Sequence, residues 1–368
     1  MCKVSVILPS LNVAQYIDEC LRSVTAQTLR EIEIICVDAG STDGTLDIIR
    51  SYAQRDSRVT LILSDKKSYG HQMNLGIARA RGEYIGIVET DDFVPADMYE
   101  ALYQTAVGEQ ADIVKADFYR FRTVGDALER RYNRLDPSGR HYGKVLCPAE
   151  HPEVFRFEMN TWSGIYLRRF LENNGILHQE TPGASYQDTG FWFRTFCLAK
   201  RVVFVDTPYY MNRRDNEHSS VASGGKLYCM TQELAAVEAW LRGDAARLRA
   251  FSGVFALRKF HSLLFTYNRI APQYRAEYAE HIREQMAGLI EAGEYDRALF
   301  APHEWRKLML ILRNPARFHR LNGSGAMRML EKAEAALSFA AHEGPAAAVR
   351  RVIWKNKKDK VGKESVHG

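Results

Sequence analysis

The sequence lacks the marks of several protein classes. Its six cysteines (Cys2, Cys20, Cys36, Cys147, Cys197 and Cys229) form no CxxC pair and match neither a zinc site nor a disulfide framework. A disulfide-stapled scaffold is excluded, and a reducing compartment fits. No apolar run approaches the roughly 20 residues that span a bilayer as a helix, so membrane contact is expected at its surface or not at all. The apolar stretch Val4–Leu8 is too short for a signal-peptide core, and no cleavage site follows it. A cytoplasmic protein is the expectation. No GxGxxG follows that stretch, which argues against a dinucleotide oxidoreductase. No internal repeat or extended low-complexity segment is found.

What is present begins with an uneven charge. Residues 350–368 hold seven Lys or Arg against two acids, which alone accounts for the formal +5 of the chain. Nucleic-acid binding, which would spread basic residues across a folded face, is therefore not expected. With 368 residues and 46% apolar composition, the chain can bury one large domain plus an appendage.

The first hundred residues alternate apolar β-branched runs with helix-period segments. Strands are expected at Val4–Leu8, Ile32–Val37, Val59–Leu63 and Tyr84–Val88, with helices at about 14–28, 44–55 and 69–80 between them. Proline at position 9 is expected to stop the first strand. A further helix at about 95–107, a strand at Ile113–Phe118 and a polar hairpin-like stretch through Tyr132 follow. The pattern predicts an α/β fold with a mainly parallel, doubly wound sheet. Beyond Ser223 strand signals stop and helical periodicity takes over, so the expected parts are 1–222, a helical region 223–345 and a basic tail 346–368.

Ligands of such sheets bind at the carboxyl ends of the strands, where three loops converge. The first carries Pro9, Ser10 and Asn12, residues that ordinary turns also use. The second, Asp38-Ala39-Gly40-Ser41-Thr42-Asp43-Gly44, places a carboxylate on the strand's last residue, where it can accept from a base N–H or ribose hydroxyls. Ser41, Thr42 or Asp43 can cap the next helix, and Gly40 can supply a positive φ. The third, Glu89-Thr90-Asp91-Asp92, concentrates three carboxylates whose repulsion a diphosphate-bound divalent cation would relieve. A solvated acidic turn is the plainer alternative.

Together VSVILPSLN, VDAGSTDGT and GEYIGIVETDD resemble family 2 glycosyltransferases of the GT-A fold, over about the first 220 residues. The resemblance implies a nucleotide-sugar half at about 1–118 and an acceptor half at about 119–222. It also implies that Pro9, Asn12, Asp38 and Ser41 hold the nucleoside, and that Asp91 and Asp92 bind Mn²⁺ or Mg²⁺ with the diphosphate. Asp92 is then the direct metal ligand and Asp91 lies nearer the ribose. Family members begin a later helix with an acidic catalytic base. The matching stretch Ser185-Tyr186-Gln187-Asp188 offers Asp188, which could also be only a helix N-cap.

Three departures from the family pattern stand out: Ala39 for a second acid, Met73 for arginine and Gln187 for glutamate. His71 and Asn74 open a helix near the expected diphosphate, and His71 either replaces the missing arginine or is an exposed histidine without a ligand. Arg213, Arg214 and His218 lie in a segment that either reaches the diphosphate and metal or forms surface ion pairs.

The activity this implies is inverting transfer of a sugar, with UDP as the commonest donor carrier, to a hydroxyl of a glycan or lipid-linked acceptor in cell-envelope polysaccharide synthesis. A sugar nucleotidyltransferase would show a glycine-rich basic signature near the N-terminus, which is missing. A non-catalytic nucleotide-sugar-binding protein draws support from the three departures. In the helical part, the aromatics of Phe255–Tyr267 recur at core spacing. The basic stretches Trp305–Arg320 and Val349–Lys360 either meet an anionic membrane or are simply solvated.

Overall fold

The computed structural model describes residues 2–125, 127–216 and 227–322. The basic tail, His218 and the boundary expected at Ser223 lie outside the described residues.

Runs of Val and Ile with both faces covered make the parallel half of the sheet. Strands β1 (Val4–Ser10) and β2 (Ile32–Asp38) are buried at every position. They lie beside β3 (Val59–Leu63) and β4 (Tyr84–Ile87) in the order β3-β2-β1-β4, all parallel. The crossovers are α1 (Ile17–Thr25), α2 (Thr45–Arg55) and α3 (Tyr69–Arg79). Pro9 does not stop β1, which pairs with β2 through Ser10 opposite Asp38. The β1–β4 pairing ends at Ile7–Ile87, and the Pro9 carbonyl accepts the Thr90 hydroxyl beyond it at 2.9 Å. The missing proline N–H therefore falls where β4 has no ladder left.

The sheet then becomes mixed. After α4 (Met98–Gly108) come β5 (Ile113–Val124), its hairpin partner β6 (Ala127–Asn133) and the short β7 (Val145–Leu146). β8 (Gly164–Leu167), α5 (Arg168–Asn173), α6 (Gln187–Leu198) and β9 (Val202–Arg213) follow. The order continues β4-β8-β5-β9-β7, with β8 antiparallel to both its neighbours. The antiparallel β8, only four residues long, is absent from the sequence reading because so short an apolar run carries no usable period.

The chain forms two compact units that divide at Arg269/Ile270. The helices α7 (Cys229–Arg242) and α8 (Ala245–Arg269) belong to the sheet unit, because their apolar faces complete its core. Phe255 meets Phe193 of α6 edge-on at 5.7 Å, and Phe251 packs against Phe155. The second unit contains α9 (Arg275–Glu291), α10 (Pro302–Arg313) and α11 (Pro315–Asn322). Within it Trp305 stacks on Tyr295 at 5.3 Å and lies under Arg297. No helix of the described residues is long and apolar enough to cross a membrane.

Candidate active site

The ends of β1 and β2 are locked together around Asp38. This carboxylate is fully buried. Its Oδ1 accepts the Gly40 and Ser41 N–H groups at 2.9 and 2.8 Å, and its Oδ2 accepts the Ser10 and Ser41 hydroxyls at 2.8 and 2.6 Å. Four donors fill both oxygens. Asp38 thereby organises the loop expected to hold the nucleoside. Gly40 takes the anticipated positive φ of 86°. Asn12 accepts from the Thr42 N–H at 2.9 Å while its own N–H donates to Ser41 Oγ at 2.8 Å. Pro9 and Ser10 are buried at the base of this loop pair, and Asn12 and Gly40 are exposed above them.

The start of α3 is tied to the chain's own later loop. Ser68 caps the helix by accepting the His71 N–H. His71 sits between two carboxylates, Nε2 2.7 Å from Asp65 and Nδ1 2.8 Å from Glu180. Asn74 exchanges hydrogen bonds with both backbone groups of His178 at 2.9 Å. A Cβ on Gly70 would stand 1.8 Å from the Gln179 carbonyl, so the close backbone approach there is made by the protein itself. Met73 is fully buried. Both side chains, His71 and Asn74, engage residues 178–180.

The acidic loop after β4 separates its three carboxylates by burial. Asp92 is 2% exposed and accepts the Arg213 N–H at 2.6 Å and the Asn212 amide at 3.0 Å. Burial first, and then the charge of Asp91, push its carboxyl well above the usual range. Asp91 is only half-buried, with Asn216 donating to Oδ2 at 2.8 Å and Arg213 Nε donating to its carbonyl at 2.8 Å. The two aspartates differ in burial: β9 occupies both oxygens of Asp92, while Asp91 is half-buried with Asn216 on its Oδ2. Glu89 accepts the Tyr69 hydroxyl at 2.7 Å. Its carboxyl is raised to about 8 by burial, with added repulsion from Asp91 and Asp188. Carboxylates from the acidic loop and from α6 thus share one electrostatic environment.

Asp188 sits in the first turn of α6, half-buried, and burial raises its carboxyl above the ordinary value. The turn before it is over-determined. Tyr186 holds φ 70°, a left-handed conformation that costs a non-glycine residue about 1 kcal/mol or more. Gln187, buried, accepts the Ser185 N–H and donates to Thr181 and Gly183. The amide at the glutamate position therefore fastens the loop, using donors a carboxylate does not have.

The partners of Arg213, and the place of Glu233, were beyond the sequence reading. Arg213 is stacked between Tyr16 and Phe121 at 4.8 and 4.6 Å and paired with Glu19 at 2.5 Å. It braces the Asp91 backbone. Glu233 of α7 is 1% exposed, and a Cβ on Gly190 would stand 2.2 Å from its Oε1. Burial raises Glu233 to about 8, against the opposing charge of Arg194. Neither carries a local motif, since both act through residues distant in the chain.

Comparison with known proteins identifies the family and the fold. Residues 5–178 match the model of "Glycosyl transferase family 2". The chain is 34% identical over 218 residues to the uncharacterized glycosyltransferase EpsJ of Bacillus subtilis, covering 58% of this chain and 61% of that protein. It is 31% identical over 223 residues to the glycosyltransferase GlyG of Streptococcus pneumoniae, covering 57% of this chain and 70% of the relative. Among solved structures, S. aureus TarS 1–349 in complex with UDP-GlcNAc superposes with a TM-score of 0.64 at 18% identity, covering 86% of this chain and 89% of that one. The chain belongs to the family 2 glycosyltransferases, and its fold is GT-A.

Proposed function

We propose that this protein is an inverting, metal-dependent glycosyltransferase. It moves a sugar from a UDP-sugar to a hydroxyl of a glycan or lipid-linked saccharide in cell-envelope polysaccharide synthesis. The observation that carries the reading is the acidic loop after β4, whose Glu89 and Asp91 lie within electrostatic reach of Asp188 at the start of α6, in a chain that belongs to this family. UDP is favoured because a protein of the same fold binds UDP-GlcNAc.

The donor set suits a hard divalent cation: carboxylate oxygens that repel one another when unpaired. Asp91, with Glu89 beside it, would hold Mn²⁺ or Mg²⁺, whose positive charge stabilises a leaving diphosphate. Among the described residues no three His, Cys, Asp or Glu side chains make a ready-built cage. Such a site matches the habit of Mg²⁺ to take its other ligands from phosphate and water.

The protein's own groups do the rest. Asp38 and Ser41 hold the loop over which the nucleoside lies. Asp188 accepts the proton of the acceptor hydroxyl as its oxygen attacks the anomeric carbon, and the carbon–oxygen bond to the diphosphate breaks. Its first-turn position keeps a carboxylate compatible with the helix dipole. Tyr69 and Tyr210 exclude water behind Glu89, Tyr69 donating to its carboxylate and Tyr210 accepting from its N–H.

The test is calorimetry of a panel of nucleoside diphosphates with and without Mn²⁺, repeated on Asp91→Asn. Metal-dependent preference for one nucleotide, lost in the variant, is expected. Binding that ignores both metal and variant would remove the metal-dependent reading.

A further inference from the structure

On the proposed transferase reading, we infer that Arg131, Arg214 and Arg269 form a cationic track beside Asp188 that receives an acceptor carrying negative charge near the hydroxyl to be glycosylated. The track is built by strand register. Arg120 of β5 lies directly opposite Arg131 of β6 and opposite Asn212 of β9. Like charges directly opposite on a sheet are destabilising, so this placement needs a compensating anion. Glu158 supplies one, to Arg120. The chain continues past Asn212 to Arg214, whose Nη1 reaches Asn212 Oδ1 at 3.4 Å and whose N–H donates to the Phe121 carbonyl. Asn212 in turn donates to Asp92, so the row runs from the β5–β6 hairpin to the acidic loop.

The row also approaches the base. Arg269, the last residue of α8, lies over the Phe265 ring at 4.9 Å, and Phe265 meets Tyr186 edge-on at 6.5 Å. Tyr186 is two residues before Asp188. The arginines sense one another: Arg214 and Arg131 both weaken the protonation of Arg120, and Arg214 weakens that of Arg269, in each case after the larger effect of burial.

The contrast with neighbouring cations decides the reading. Arg213, on the nucleotide side, is neutralised by Glu19 and Asp215, and Arg122 by Glu129. Arg131, Arg214 and Arg269 are exposed and pair with no carboxylate among the described residues. Three unneutralised guanidinium groups, with Arg120 tied to Glu158, make one row, which Phe265 and Tyr186 join at its Arg269 end to the turn before Asp188. Guanidinium forks bind phosphate and carboxylate bidentately, and either group on an acceptor chain satisfies them.

The experiment measures binding to the full chain with UDP and Mn²⁺ present, using three probes of matched length. These are a glycerol-phosphate oligomer, an oligogalacturonate and a neutral maltooligosaccharide. Arg131→Gln/Arg269→Gln is the variant, and both sites are exposed. The expected result is salt-sensitive binding of one anionic probe, weakened about tenfold or more in the variant, with UDP affinity unchanged. Which anionic probe binds identifies phosphate or carboxylate as the source. The inference is overturned if neither anionic probe binds, if the neutral chain binds equally, if the variant binds like the native protein, or if UDP affinity falls in parallel. That last result would assign the arginines to the donor diphosphate. Failure of the native protein to bind any nucleotide, with the anionic probe still bound, would sink the transferase reading and leave the track standing.

Discussion

Replacing Asp188 by Asn tests the chemistry with little disturbance of the fold. Asp188 lies in the first turn of α6, and its carboxylate is lowered by the Thr189 N–H against the larger, raising effect of burial. The amide oxygen of Asn can keep that acceptor role, so stability should change by less than about 1 kcal/mol. What the variant loses is the proton acceptor. A positioned base contributes ~10²–10⁴ in rate, or about 3–5 kcal/mol of activation free energy. Turnover should fall by that factor while UDP and Mn²⁺ bind as before. The native pH profile supplies a second readout. Because burial raises the Asp188 carboxyl, the active deprotonated form is lost as pH falls through a value above that of an exposed aspartate. The acidic limb of the rate should therefore lie higher than about pH 4. Product release of UDP, followed in a coupled assay with calorimetry alongside, measures both. Turnover in Asp188→Asn within tenfold of native would refute the assignment of the base.

Other perturbations separate structural from functional carboxylates. Asp38→Ala strands four donors, three of them buried; at about 1–3 kcal/mol for each that finds no water, thermal unfolding should show a loss of about 3 kcal/mol or more. Asp92→Ala should lower the melting temperature through the abandoned Arg213 N–H and Asn212 amide, whereas Asp91→Asn should leave it near native and lose metal-dependent nucleotide binding. Equal destabilisation by the two would contradict the burial difference between them. Glu233 is raised to about 8, so folding favours its protonated form and stability falls as pH rises between about 4.5 and 8. Glu233→Gln should flatten that slope in melting experiments near neutral pH; an unchanged slope would place its source elsewhere. Gly190→Ala drives a methyl against Glu233 Oε1 and should cost about 1–3 kcal/mol, partly relieved in Gly190→Ala/Glu233→Ala.

The sequence by itself determined the nucleotide half. Runs such as Val4–Leu8 and Ile32–Val37 are buried on both faces, and such runs announce parallel strands because covering helices must lie between them. The acidic loop and Asp188 were equally legible, since both sit at element ends where local chemistry marks the place. Tertiary structure alone decided what each polar side chain faces. Whether Asp38 meets a ligand or four donors of its own loop depends on Ser10, brought opposite it by pairing across twenty-eight positions. Asp91 and Asp92, adjacent in the chain, were sorted by β9, which arrives 120 residues later to occupy Asp92. His71 and Asn74 were claimed by residues 178–180, and Arg131 gained its place by facing Arg120 across a hairpin. A sequence fixes which groups are available, but long-range packing decides which of them are already satisfied and which remain open to a substrate.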